Sequence, residues 1–149
     1  MKKFICFILC AILALSMVCT ANAAENADEI SVIIDGEKVV FDVKPMLIND
    51  RTMVPMRAIF EKLGAFVQWD DETQTAFGTD GNILIAFQIN NTLMTKSQVS
   101  GQNENIILDV PAQLINDRTL VPIRAISEAF DCKVDWIDAT QTVVITTAK

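Results

Sequence analysis

The 149-residue chain predicts an α+β fold, a curved antiparallel β-sheet packed on two short helices and internally duplicated. Three observations lead there. Residues 43–76 recur at 110–143 with 19 identities in 34 positions, so one unit is used twice. Each copy carries one apolar stripe of helical spacing, too short to stand without packing. Between and around the stripes lie short β-rich runs bounded by Asp-Gly and Asn-Asp pairs, the punctuation of hairpins. Two short helices cannot bury themselves, so both are expected to pack on sheet as one continuous domain.

In the first copy, residues 30–34 and 38–42 are β-rich and joined through Asp35-Gly36, a hairpin signal. Asn49-Asp50 turns the chain, and Thr52 is the expected helix N-cap, with Pro55 tolerated in the first turn. Met56, Ile59, Phe60 and Leu63 then fall on one helical stripe, which Gly64 closes. Residues 66–69, 75–78, 83–89 and 93–95 read as strands. The second copy repeats the plan. Residues 106–110 lead into the Asn116-Asp117 turn, a helix with the stripe Ile123, Ile126 and Phe130, and strands at 133–136 and 142–147. The polar segment 96–105, with Gly101 at its centre, reads as a mobile loop.

The first 23 residues predict export. Met1-Lys2-Lys3 is a positive start, an uncharged apolar run follows, and Ala21-Asn22-Ala23 supplies the small residues of a cleavage site. An uncleaved anchor is the competing reading, since nothing charged occurs from Phe4 to Ala24. Cleavage after Ala23 gives a secreted or envelope-associated protein without membrane insertion. Cys6, Cys10 and Cys19 depart with the leader, and the remaining Cys132 reads as a small buried hydrophobe. Residues 24–149 then form one domain of two repeats, about 30–80 and 81–149.

Residues 24–149 hold ten Lys and Arg against nineteen Asp and Glu, a net charge of −9. That acidity argues against nucleic acid and anionic membranes as partners, since both require a basic face. The chain contains no histidine and no tyrosine. Without imidazole, and with one cysteine beyond the leader, an ordinary transition-metal site cannot be assembled. No metal or other cofactor is expected. No nucleophile–base pair or phosphate loop is present, and no carboxylate pair is singled out by its setting.

The residues that recur in both copies are Asp50, Arg51, Pro55, Arg57, Glu61 and Trp69, matched by Asp117, Arg118, Pro122, Arg124, Glu128 and Trp136. Arg57–Glu61 and Arg124–Glu128 are four apart on a helix and are expected to pair. Asp50 and Asp117 are placed in turns ahead of the helices, near positive backbone N–H groups. An arginine pair gripping an anionic ligand is the functional alternative. Trp69 and Trp136 share a strand face with Val67 and Val134, which favours packing against the helix over an exposed platform for a sugar ring. Asp70-Asp71-Glu72 reads as a solvated turn, because the second copy has Ile137-Asp138-Ala139 in its place.

Three stretches, residues 32–42, 48–57 and 63–70, with the repeated Val-Pro-x-Arg signature, resemble the copper amine oxidase N-terminal-like domain, also called the stalk domain. The second copy departs at Phe130-Asp131, where the family pattern has Leu-Gly. The resemblance implies an α+β fold of antiparallel sheet wrapped on short helix, found widely in exported bacterial proteins. It does not imply amine oxidation, because the oxidases' copper-binding histidines and cofactor-forming tyrosine belong to a separate catalytic domain. The expected function is a non-catalytic binding or assembly module at the cell envelope or outside it, contacting an envelope polymer or an extracellular protein. A ligand-free structural spacer and a carboxylate-based hydrolase are the alternatives.

Overall fold

The computed structural model describes residues 29–148; the expected leader, its cleavage site and its three cysteines lie outside the described residues. The chain runs through β1 (Ser31–Ile34), β2 (Glu37–Lys38), β3 (Met46–Ile48), β4 (Arg51–Pro55) and α1 (Met56–Lys62). It continues as β5 (Phe66–Asp70), β6 (Thr75–Thr79), β7 (Ile83–Gln88), β8 (Leu93–Gln98) and β9 (Asn103–Ile107). It closes with β10 (Gln113–Ile115), β11 (Arg118–Pro122), α2 (Ile123–Ala129), β12 (Lys133–Ile137) and β13 (Thr142–Thr146). The molecule is mostly β-sheet with two short helices, in keeping with the expected α+β class.

The strands form three sheets, ordered β12-β13-β1-β2, β10-β11-β4-β3 and β5-β6-β7-β8-β9. The middle sheet organises the rest. Its central strands pair antiparallel with Val54 opposite Val121, flanked by Pro55–Leu120 and Met53–Pro122. Val54 and Val121 point into the main core, while Met53 and Leu120 bury themselves with Val110 in a small second cluster. Apolar residues therefore occupy both faces, and the sequence there lacks the alternation of a half-exposed strand. This corrects the helix entry expected at Thr52. Residues 51–55 are strand, Pro55 takes the N-cap position without a side-chain cap, and the helix begins at Met56.

Both expected stripes are buried. Met56, Ile59 and Phe60 face the core on α1, as do Ile123 and Ile126 on α2, with Phe130 buried at its end. Helix α1 packs on β5 and β11, and α2 packs on β12 and β4, so each helix touches a strand from the other half of the chain. Gly64 ends α1 with φ +77°, and Asp131 takes the same left-handed region, φ 59°, after α2. The Leu-Gly to Phe-Asp departure thus leaves the helix stop intact.

Other expectations shift. Residues 96–105 are not a loop, since they supply the end of β8, a turn at 99–102 and the start of β9. Lys96 is nearly buried there, with Nζ 2.6 Å from Asp131 Oδ1. The strand expected at 106–110 is displaced to Asn103–Ile107, and the one expected at 38–42 leaves the ladder after Lys38. One parallel pairing was not expected. Strand β1 lies along β13, from Ser31–Thr142 to Ile34–Ile145, and ties the start of the described chain to its end.

Candidate functional site

The site begins at two hairpin turns. Asn49-Asp50 and Asn116-Asp117 all adopt positive φ (49°, 60°, 50° and 58°), the two-residue geometry that joins twisted strands tightly. Asp50 and Asp117 therefore sit at the tips of the β3–β4 and β10–β11 hairpins rather than at the entries of the helices. The tight turn projects the next residue outward. Arg51 reaches Asp109, with Nη2 2.6 Å and Nε 2.8 Å from Oδ2, and Arg118 reaches Asp42 with Nε 2.5 Å from Oδ2. Each guanidinium also donates to the carbonyl of the preceding aspartate, Asp50 at 3.2 Å and Asp117 at 3.1 Å. The hydrogen bond from Arg118 is the main cause holding the Asp42 carboxyl below its ordinary range.

Each tryptophan is fixed by a carboxylate two residues on. Trp69 Nε1 donates to Asp71 Oδ1 at 2.5 Å, and Trp136 Nε1 donates to Asp138 Oδ1 at 3.3 Å. Trp69 is half-buried against the core, whereas Trp136 is 38 % exposed, so the packing expected for both holds only for the first. Asp70, expected in a solvated turn, accepts from the amides of Glu72 and Thr73 (2.9 and 3.3 Å). Thr73 heads the causes that hold its carboxyl low.

These parts line two grooves. The first, about 740 Å³, gathers Pro55, Arg57, Glu61 and Trp69 from one half of the chain with Leu114, Asp117 and Arg118 from the other. The second, about 570 Å³, gathers Pro122, Arg124 and Trp136 with Leu47, Asp50 and Arg51. It adjoins a recess of about 340 Å³ that holds Glu128 and shares Arg51, Asp109, Pro122 and Arg124 with it. Eleven of the twelve repeated residues thus line one groove or the other, and Glu128 lines the recess. Of the fourteen residues lining the first groove, thirteen have a counterpart 67 positions away lining the second groove or its recess, and eleven of those pairs are identical.

The core is matched less closely. Met53, Met56, Phe60, Ala65 and Ala76 are buried, and their counterparts are Leu120, Ile123, Ser127, Cys132 and Val143. Identity between the halves is therefore denser at the grooves than in the interior, where Val54/Val121 and Ile59/Ile126 remain identical. The ion pairs expected within the helices do not form. No hydrogen bond or ion pair engages the side chains of Arg57, Glu61, Arg124 or Glu128 among the described residues, and all four are exposed. Leu47 and Leu114 are 59 % and 57 % exposed, matched in both halves and without a packing role. The groove residues Asp42, Asp109, Leu47 and Leu114 were not singled out from the sequence, and Asp71 and Asp138 were read only as parts of turns. Their signal was present, since each recurs at the same 67-residue offset.

Among the described residues no group of three or more Cys, Asp or Glu is arranged to hold a metal ion. Cys132 is buried, and burial is the main cause pushing its thiol pKa up, which keeps it protonated and unreactive. No helix of the described residues is long and apolar enough to cross a membrane.

Fold and grooves define a β-rich, two-helix module with two surface grooves lined by matched residues. The chain belongs to the copper amine oxidase N-terminal domain family, whose profile matches residues 33–145. In the oxidases that domain is a non-catalytic module. Comparison with curated proteins and with solved structures gave no match.

Proposed function

We propose that the chain is an exported, non-catalytic binding and assembly module, arisen by internal duplication, that contacts an envelope polymer or an extracellular protein. One observation carries the reading. Exposed side chains with no structural partner, Arg57, Glu61 and Leu114 with their counterparts Arg124, Glu128 and Leu47, are the same in both halves, while buried positions are matched less often, Val54 and Ile59 being kept and Phe60, Ala65 and Ala76 changed. A repeat retained for folding alone would hold its interior at least as tightly as its surface. Holding the surface instead points to contact with something outside the molecule. The leader-like first 23 residues support a contact made outside the cytoplasm.

The test is retention of residues 24–149, which include every described residue, on isolated envelopes and secreted fractions of the source organism. Specific, saturable retention is expected. A protein that stays freely soluble and contacts neither fraction at high concentration would remove the reading and favour a spacer.

A further inference from the structure

The two grooves are a matched pair of saccharide sites, and we infer that each takes a neutral, flat-faced pyranose chain, so that one molecule holds two glycan strands. The inference rests on the binding-module reading and adds the ligand class and the place where it binds.

The argument starts from what the lining offers. Each groove contains one indole plate whose orientation is set by its hydrogen bond to Asp71 or Asp138. A flat pyranose ring presents a face of C–H bonds, and such a face lies against an aromatic plate with the contact area and geometry an apolar side chain would have. Around the plate stand groups that donate only and groups that accept only. In the first groove the guanidinium of Arg57 and the carboxylate of Glu61 both line the wall, and neither has a hydrogen-bond or ion-pair partner among the described residues. A ligand that satisfies both must carry donors and acceptors close together. Sugar hydroxyls do both with one atom.

Charge narrows the choice. The first groove holds two guanidiniums and four carboxylates, those of Asp42, Glu61, Asp71 and Asp117. The Arg118 guanidinium is already engaged by Asp42. The second groove holds Arg51 and Arg124 with Asp50, Asp109, Asp135 and Asp138, the same balance. A polyanion such as a teichoic or uronic chain would meet an excess of negative charge, and a polycation, though drawn by that excess, would leave the unpartnered Arg57 and Arg124 unsatisfied. A neutral polyhydroxylated chain meets neither. A mixed-charge peptide is the other ligand of suitable chemistry, and it serves as an outcome of the test.

Two sites on one rigid body give a function neither gives alone. Glycan strands presented at high density raise the effective concentration for the second contact, so a weak single-site affinity becomes firm retention.

The protein carries its own reporter. It has two tryptophans and no tyrosine, so fluorescence excited at the red edge of absorption comes from the two grooves alone. Residues 24–149 would be titrated with cellohexaose, xylohexaose and chitohexaose, and with an acidic–basic mixed hexapeptide. A saturable change in emission with at least one hexaose, at two equivalents per chain, is expected. Trp69→Ala leaves Trp136 as sole reporter of one equivalent, and Trp136→Ala does the converse. Arg57→Ala and Arg124→Ala remove exposed, unpartnered side chains, so their thermal unfolding stays unchanged while each weakens its own groove by roughly 10-fold or more. The inference is overturned if no hexaose alters the emission, if only the peptide does, or if the arginine variants bind as the parent does. Envelope retention separates the two readings. Retention undiminished in the Trp69→Ala/Trp136→Ala double variant keeps the module and discards the grooves, whereas hexaose binding without retention does the reverse.

Discussion

At the scale of single residues, the two halves solve one packing problem in opposite ways. Phe60 on α1 is fully buried with its ring over Gly78 on β6, where an added Cβ would lie 2.1 Å from the ring. The counterparts are Ser127 on α2 and Ile145 on β13, a small helix residue and a large strand residue. Phe60 cannot retreat, because Phe130 meets it edge-on with ring centroids 5.4 Å apart. Gly78→Ala should therefore destabilise the protein by roughly 1–3 kcal/mol, with several degrees lost from Tm and recovery on adding Phe60→Leu. Unaltered stability of Gly78→Ala would show the ring to be more yielding than its packing implies. The exchange leaves a residue on the other side. Ser127 Oγ is buried without a hydrogen-bond partner among the described residues. Replacing that hydroxyl by hydrogen removes a desolvated polar group and little volume. Ser127→Ala should raise the urea midpoint by an amount equivalent to about 1 kcal/mol, and a fall would reveal a partner the geometry does not show.

At the scale of elements, what could be read from the sequence followed from where one face of an element is buried. The stripes Met56–Ile59–Phe60 and Ile123–Ile126 were legible because α1 and α2 each bury one face, so the 3.6-residue period survives. The turns were legible because positive φ confines Asn49, Asp50, Asn116 and Asp117 to a few residue types. Strands β4 and β11 were not legible, because burial on both faces erased alternation and Pro55 imitated a helix start. The β8–β9 hairpin was hidden for another reason. Its polarity suggested a loop, yet Lys96 crosses from β8 to the end of α2 and buries its stem while its ammonium meets Asp131. Asp131 thereby performs two tasks, ending the helix at positive φ and neutralising a buried charge. Asp131→Ala should cost roughly 1–3 kcal/mol by stranding the ammonium, more than Lys96→Met costs. The double variant should recover most of the loss in urea titrations. Additive losses would mean that Asp131 matters only for its backbone conformation. Neither sequence period nor turn chemistry could reveal the grooves, which exist only once β10–β11 is laid beside α1 and β3–β4 beside α2.

At the scale of the whole molecule, the halves are joined by reciprocal contacts that neither contains alone. Arg51–Asp109 and Arg118–Asp42 cross between them at separations of 58 and 76 residues. Asp42 has its carboxyl held low in the folded state, so the stability it contributes is complete above the ordinary carboxylate range and fades as pH falls through that range and below. Arg118→Ala should flatten the decline of Tm on acidification, by a modest amount because the pair is half-exposed to water. An unchanged acid slope would assign the decline to other carboxylates. The larger dependence lies in the sheets. Strand β13 has β12 from its own half on one side and β1, more than a hundred residues earlier, on the other. Helix α1 needs β11 for cover, α2 needs β4, and the clasp from Asp35 to Thr147 (3.0 and 2.7 Å) seals the parallel pair. A fragment of residues 24–80 would thus expose the α1 face and leave β1 with only the two-residue β2 beside it, and a fragment of 81–149 would expose the α2 face and one edge of β13. Each fragment alone should give the far-ultraviolet spectrum of an unfolded chain. An equimolar mixture should regain a β-rich spectrum and a cooperative thermal transition, because every cross-half contact can re-form between the pieces. If either fragment folded by itself, the repeat would be a self-sufficient domain and the pairing of Val54 with Val121 a docking contact. If the mixture stayed unfolded, chain continuity at residues 80–81 would be needed to overcome the entropy of bringing β1 to β13.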